Sequence, residues 1–210
     1  MSVIKHKEQR VAVLIDTQNL YHSAKNLYHA RVNFKHLVDV ALGDRRLVRA
    51  LAYVVNTESG EEESFFEALE KSGIEIKTKD LQVFFGGAKK ADWDVGLAVD
   101  AIKLAQKVDA IVIASGDGDF VPLVEYVKGQ GCQVEAITFG RSTSARLIEA
   151  VDDFINLDEN PEDFLINYKR RKSYSATKKQ SLRKTISKKS GAKKTSGIFS
   201  QVVGTDTDDL

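Results

Sequence analysis

The sequence has little of several residue types, and each shortage excludes a class of protein. Its 210 residues include one cysteine, Cys132, which excludes an intrachain disulfide and a metal site built from several thiolates. Cys132 opens an apolar run, so we expect a buried thiol. No uncharged apolar run approaches the roughly 20 residues of a membrane span, and the N-terminus has no signal-peptide pattern. These absences predict a soluble, cytoplasmic protein.

Several common catalytic signatures are also missing. The chain has no GxxxxGK[ST] or GxGxxG loop for a nucleotide phosphate and no GxSxG serine elbow. The histidines lack the spacing of four that helical metal pairs favour; they are His6, His22, His29 and His36. A haloacid-dehalogenase-like phosphatase needs an aspartate where Gln18 stands. A phosphotransfer receiver needs a lysine where the chain has Arg141. Both classes are disfavoured.

Charge and composition divide the chain. Residues 168–210 carry 12 Lys and Arg against 3 Asp and Glu, a net charge of +9, whereas the rest carries 19 basic and 27 acidic residues, or −8. We predict a flexible N-terminus (1–10), a folded domain (11–158), a short helical connector (159–168) and a disordered basic tail with an acidic tip (169–210). Within the tail, GIFSQVV (197–203) is either a functionless apolar segment or a docking peptide for a protein partner.

Short apolar runs alternate with helical patterns through the folded domain. Strands are predicted at 11–16, 47–55, 73–80 with an extension to 85, 110–115, 132–139 and 154–157. Helices are predicted at 34–42, 59–73, 92–108, 120–131 and 143–150. This alternation predicts an α/β three-layer sandwich with a mostly parallel, doubly wound sheet. In such sheets, ligands bind at the carboxyl ends of the strands.

Aspartates stand at those strand ends. Asp16 ends the first strand, Asp117 and Asp119 follow the fourth, and Asp94 lies near the start of the long helix. If the first and fourth strands are neighbours, the carboxylates converge, and such like charges need a cation among them. Oxygen ligands favour Mg²⁺ or Mn²⁺, either of which can activate water against a phosphate ester. Asp100, six residues beyond Asp94, does not share its helix face.

Capping is the alternative explanation for each of these acids. An aspartate at a strand-to-helix turn commonly accepts hydrogen bonds from the first amides of the helix. On that basis Asp119 would cap the helix at 120, and Asp92 would cap the long helix and stay outside the site. The glycines at 116 and 118 would let the backbone and a substrate approach closely.

Four ordered segments resemble the motifs of the NYN domain family of PIN-like nucleases, in particular its bacterial LabA/DUF88-like subgroup. They are IDTQNLY (15–21), KKADWDVGLAVDAI (89–102), SGDGDFVPLV (115–124) and the block at 131–157. The resemblance implies a PIN-like fold and an acidic Mg²⁺ or Mn²⁺ site. By motif, the acidic ligands are Asp16, Asp94, Asp117 and Asp119, with Asn19 as a polar partner. Asp100 matches a recurrent acidic position of unassigned role. Trp93 departs from the small or aliphatic residue that is usual there.

Two functions are open at this stage. In the first, a metal-dependent endoribonuclease, Asp16, Asp94 and Asp117 bind the metal, and Asp119 binds a second ion or orients water. Asn19 and Ser115 hydrogen-bond a ligand carboxylate or the phosphate. RNA contacts are predicted at basic residues, namely Lys89, Lys90, Lys169, Arg170, Arg171 and Lys172. In the second, an RNA-binding or regulatory protein keeps the fold but turns over slowly or not at all. A homodimer is compatible with either.

Overall fold

The computed structural model describes residues 3–56, 63–80 and 92–168, together with the backbone of 82–83 and 89–90. The predicted basic tail at 169–210 lies outside the described residues, as do the tail residues predicted to contact RNA and the docking peptide at 197–203. The side chains of Lys89 and Lys90 are outside the description as well.

The described strands, in chain order, are β1 (Arg10–Asp16), β2 (Arg31–Val32), β3 (Arg46–Asn56), β4 (Glu75–Asp80), β5 (Gln82–Val83), β6 (Lys89–Lys90), β7 (Ala110–Ala114), β8 (Gln133–Thr138), β9 (Asp153–Asn156) and β10 (Leu165–Ile166). Six of them form one sheet in the order β4-β3-β1-β7-β8-β9, with every neighbouring pair parallel. Two antiparallel pairs, β10-β2 and β5-β6, lie outside this sheet. The parallel sheet confirms the predicted fold class.

Helices cover both faces of the sheet. They are α1 (Thr17–Tyr28), α2 (Phe34–Leu42), α3 (Glu63–Lys71), α4 (Asp94–Ala105), α5 (Val121–Gly129), α6 (Ala145–Ala150) and α7 (Pro161–Phe164). Side chains alternate between the faces of a strand, so Val13 of β1 packs in a core with α1 and α2, whereas Leu14 packs in a second core with α4, α5 and α6. Both are fully buried. Within the described ranges, every helix is too short or too polar to span a bilayer.

Two segments differ from the expected secondary structure. The stretch at 17–28, which has no clear apolar period, forms helix α1. Its buried residues include the small or polar Thr17, Ser23 and Ala24 beside Leu20, so a hydrophobic stripe is hard to see in the sequence. The connector at 159–168 contains only the four-residue α7 before the chain extends into β10.

A buried ion pair joins the start of β3 to β8. The Arg45 guanidinium donates to both carboxylate oxygens of Glu135, at 2.5 and 3.0 Å, and also to the main-chain oxygens of Ala41 and Leu42 at the end of α2. Glu135 is fully buried, and Arg45 is 7% exposed. The Nζ of Lys5 lies 2.8 Å from the same carboxylate. This pair therefore connects the sheet to α2 and to the segment before β1. Cys132 is buried, as predicted.

Candidate functional site

The chain reverses its direction of travel across the sheet between β1 and β7. From β1 it proceeds to β3 and β4 on one side, and it later returns to add β7, β8 and β9 on the other. β1 and β7 are parallel neighbours, with Ile15 opposite Ala114. Such a reversal opens a crevice at the carboxyl ends of the strands. Asp16 and Ser115 are the next residues on these two strands and stand at that crevice.

Asp16 connects the two strand ends. It is the N-cap of α1, where its Oδ1 accepts a hydrogen bond from the backbone N–H of Asn19 at 3.1 Å. Its Oδ2 accepts from the Ser115 hydroxyl, also at 3.1 Å. Burial raises the pKa of Asp16 above its ordinary value, and the charge of Asp117 raises it further, although the bonds from Asn19 and Ser115 oppose the shift. Asp16 thus serves as a helix cap while its carboxylate is affected by the charge of Asp117.

The loop after β7 is held by a hydrogen bond to Asn19 of α1 and by hydrogen bonds within the loop. The Asn19 side-chain oxygen accepts from the backbone N–H of Gly116 at 3.0 Å, and the Ser115 hydroxyl oxygen accepts from the N–H of Asp117 at 3.3 Å. Asp117 Oδ1 accepts from the N–H of Asp119 at 2.9 Å and caps the 3₁₀ turn Gly118–Phe120 that leads into α5. The alternative role of Asp119 as the cap of α5 was wrong, because a 3₁₀ turn precedes this helix and the cap of that turn is Asp117.

Asp94 completes the group. It is the first residue of α4. Burial raises its pKa, and the charges of Asp92, Asp16, Asp117 and Asp119 raise it further, in that order. The charges of the other three predicted ligands therefore act on Asp94. We call Asp16, Asp94, Asp117 and Asp119 the acid cluster.

The predicted cap at Asp92 was wrong as well. The N-cap of α4 is Trp93, which makes no side-chain capping bond. Its indole N–H instead donates to the backbone oxygen of Val54 at 2.9 Å, and its ring packs at 5.4 Å from the ring of Tyr53. The large residue at this position therefore joins the start of α4, and with it Asp94, to strand β3.

Asp100 lies apart from the acid cluster. It accepts hydrogen bonds from the Tyr53 hydroxyl at 2.8 Å and from Lys77 Nζ at 2.5 Å. Burial would raise the pKa of Asp100, but these two donors hold the pKa below its ordinary value. Asp100 thus fixes α4 to β3 and β4. Tyr53 and Lys77 carried no signal in the sequence, since their role depends on contacts between distant segments.

The glycines of the loop accommodate another part of the chain. A methyl group on Gly116 would lie 3.0 Å from the backbone oxygen of Ser142, and one on Gly118 would lie 2.6 Å from Ser144 Oγ and 2.9 Å from its Cβ. The N–H of Ser144 donates to the Gly116 oxygen at 3.0 Å. The expected close backbone approach is therefore present, and the segment that approaches is 142–144.

Replacing Gly118 with alanine is expected to destabilise the protein by about 1–3 kcal/mol, because the new methyl group overlaps the Ser144 side chain. Urea unfolding measures the loss. The double variant Gly118→Ala/Ser144→Gly should recover most of it, since Ser144 makes no side-chain capping bond that would be lost. Equal losses in the single and double variants would contradict this explanation.

The acid cluster fits a hard divalent cation in its donor chemistry. Its members offer only carboxylate oxygens, the ligand type that Mg²⁺ and Mn²⁺ prefer. Burial and, after it, the charges of neighbouring aspartates raise the pKa values of Asp16 and Asp94. In the described part of the chain, no three His, Cys, Asp or Glu side chains are gathered closely enough to form a ready-made metal site. Binding therefore requires side chains such as the exposed Asp119 to turn inward.

The chain is similar in sequence and in structure to known proteins. A family model described as the NYN domain matches residues 10–158, which include the whole acid cluster. The chain is 23% identical over 176 residues to the low amplitude and bright protein LabA of Synechococcus elongatus, covering 76% of this chain and 94% of that protein. A crystal structure of a protein of unknown function from Vibrio parahaemolyticus has 32% identity and a TM-score of 0.70, covering 78% of this chain and 100% of that one.

Proposed function

Because the chain belongs to the NYN domain family, a family of PIN-like nucleases, we propose that it is an endoribonuclease that uses Mg²⁺ or Mn²⁺ to hydrolyse RNA phosphodiester bonds. One observation carries the proposal. Asp16 and the Ser115–Asp117 loop lie at the ends of adjacent parallel strands and are joined by the Ser115–Asp16 hydrogen bond. The charges of Asp16, Asp117 and Asp119 also act on Asp94.

The acid cluster would hold the ion. When bound, the ion would neutralise charge on the phosphate and lower the pKa of a water molecule. Residues of the chain would orient the carboxylates and the attacking water. Ser115 donates to one oxygen of Asp16 and so fixes its orientation. Asn19 holds the Gly116 amide and thereby the loop that carries Asp117. Asp119, the most exposed member of the cluster, would orient the attacking water.

The proposal predicts a pH dependence of metal binding. Burial and then the charge of Asp117 raise the pKa of Asp16, so protons compete with the ion at a higher pH than they would for an ordinary aspartate. Without metal, the native state holds this proton more tightly than the unfolded chain. The stability from that proton is therefore lost as the pH rises from 3.8 through the raised value.

Thermal unfolding with and without Mn²⁺ across this pH range checks the prediction. The stabilisation by Mn²⁺ should grow as the pH rises through the raised pKa of Asp16. An Mn²⁺ stabilisation that does not change with pH would show that no carboxylate with a raised pKa takes part.

The direct test of activity compares wild type with Asp117→Asn on single-stranded RNA with Mn²⁺. An asparagine at position 117 keeps an oxygen for the Asp119 N–H, so the loop should be preserved while the charge is lost. Asp39→Asn is the matched control, since Asp39 is an exposed carboxylate on α2 that pairs with Lys35. We expect cleavage by wild type and Asp39→Asn only. Cleavage that persists undiminished in Asp117→Asn would contradict the proposal.

An RNA-binding or regulatory protein without turnover is the second candidate. It is favoured by the finding that, within the described ranges, the acids are not drawn together as a metal site. Binding of RNA by wild type with no cleavage under any divalent-metal condition would support this candidate over the nuclease.

A further inference from the structure

An open groove runs from the acid cluster between α4 and α5. Its volume is about 370 Å³, and two members of the cluster, Asp94 and Asp119, form one end of it. The remaining walls are mostly apolar and include Val95, Leu123 and Tyr126. A groove of this size is within the range of small-ligand sites in proteins. It is therefore continuous with the proposed active site, and its chemistry changes from charged to apolar along its length.

The helical spacing gives the groove its direction. Tyr126 lies five residues after Val121, the first residue of α5, which places it about 8 Å along that helix at a rise of ~1.5 Å per residue. On α4, Asp94 and Ala98 are four residues apart and line the same face. The distance from the carboxylates to the tyrosine suits one nucleoside.

Two of the apolar wall residues are exposed. Val95 is 74% exposed, and Tyr126 is 49% exposed. About half of the Tyr126 side chain is thus open to solvent beside a concave surface. An exposed aromatic ring of this kind is the common platform on which proteins stack the bases of single-stranded nucleic acids.

We propose that this groove binds a nucleobase of single-stranded RNA, next to the phosphate held at the acid cluster. This inference rests on the proposed function. Because Asp94 and Asp119 belong to both the cluster and the groove, an RNA strand whose phosphate lies at the cluster has its neighbouring nucleotide at the groove. The base stacks on Tyr126, and its ribose lies near the carboxylate end. A base inside a duplex is already paired and stacked, so the subsite selects single-stranded RNA.

A second copy of the chain fits the groove less well. In a two-fold symmetric interface the same patch meets itself, so the Asp94 and Asp119 carboxylates at one end of the groove would come close to the same carboxylates of the partner. Like charges facing each other across an interface disfavour association. A nucleobase is uncharged, and the charge of the neighbouring RNA phosphate would be neutralised by the divalent ion of the proposed function.

The test uses full-length Tyr126→Ala, with Tyr126→Phe as the conservative variant. Ile166→Ala is the control, because Ile166 is an exposed apolar residue (43%) outside the groove. RNA binding is measured by fluorescence anisotropy with a labelled single-stranded 10-mer and the matching duplex, both with Mn²⁺ in an Asp117→Asn background that prevents cleavage. Steady-state rates with the single strand are measured in the otherwise wild-type chain.

We expect Tyr126→Ala to weaken single-strand binding about tenfold and to raise KM with little change in kcat. Tyr126→Phe and Ile166→Ala should bind like wild type, and the preference for single strand over duplex should shrink in Tyr126→Ala alone. Unchanged single-strand binding and KM in Tyr126→Ala would overturn the subsite, as would an equal loss of duplex binding. A variant that instead changes the sedimentation behaviour of the apo protein would assign the groove to a second copy.

The failures of the two proposals are distinguishable. If wild type binds RNA, loses this binding in Tyr126→Ala and cleaves nothing, the subsite is supported and the nuclease proposal fails. If wild type cleaves RNA and Tyr126→Ala keeps the same KM, the nuclease is supported and the subsite fails. If wild type binds no RNA at all, the subsite is overturned.

Discussion

Asp16→Asn is expected to lower kcat/KM for RNA cleavage by about 10²–10³-fold. The substitution removes the carboxylate that joins both strand ends and would weaken binding of the ion, which would supply several kcal/mol of charge stabilisation to the transition state. The substitution keeps a cap, since asparagine caps a helix as well as aspartate does, and the bond to the Asn19 N–H is retained. Burial raises the pKa of Asp16, which means that its charge is unfavourable in the fold.

The free energy of unfolding without metal should therefore be unchanged or higher in Asp16→Asn, even though activity is lost. Initial rates and urea unfolding of the same preparations measure both effects, and Asp39→Asn serves again as the control. Loss of activity together with a large loss of stability would mean that Asp16 acts mainly as a structural cap. Full activity in a stable Asp16→Asn protein would remove it from the site.

Arg45→Ala is expected to destabilise the fold by about 3–5 kcal/mol, the usual cost of breaking a buried ion pair by removing one partner. Glu135, which is fully buried, would lose the bidentate contact, and the main-chain oxygens of Ala41 and Leu42 at the end of α2 would lose their bonds from the guanidinium. Urea unfolding should show a lower midpoint with a similar slope. Cleavage per folded molecule should be unaffected, since these residues are not among the acid cluster or the loop that carries it.

Lys5→Ala is the matched control for this prediction. Lys5 contacts the same Glu135 carboxylate, but its side chain is 32% exposed, so its loss is expected to cost no more than about 1 kcal/mol. An Arg45→Ala variant as stable as Lys5→Ala would show that the remaining partners of Glu135, including Gln133, are sufficient.

The sequence predicts much of the fold because its central strands are continuous apolar runs. The runs that form β1 and β7 are buried on both faces, so their ends, and the aspartates there, can be located from sequence alone. Whether β1 and β7 are neighbours depends on the order of the strands in the sheet, which no local sequence pattern shows. The convergence of the aspartates was therefore predicted only on the condition that these two strands are neighbours. Helix α1 is hard to predict from the sequence because much of its buried face consists of small and polar residues such as Ser23 and Ala24.

The details of the site depend on contacts that no local pattern contains. Whether Asp117 or Asp119 caps the entry to α5 depends on a single 3₁₀ turn, and periodicity does not fix helix ends to that precision. Asp100 lies on the same long helix as Asp94. Its structural role, which is to fix that helix to the sheet, becomes visible only from its hydrogen bonds to Tyr53 and Lys77. The need for glycine at 118 comes from Ser144, which lies beyond the next strand.

The most direct measurement is a crystal structure after soaking with Mn²⁺, with the ion located by its anomalous scattering. We expect a peak in the crevice between β1 and β7, coordinated by oxygens of both Asp16 and Asp117 and accompanied by an inward turn of Asp94 or Asp119. A soaked crystal that binds Mn²⁺ only elsewhere, with Asp16 and Asp117 still engaged solely in capping, would contradict it.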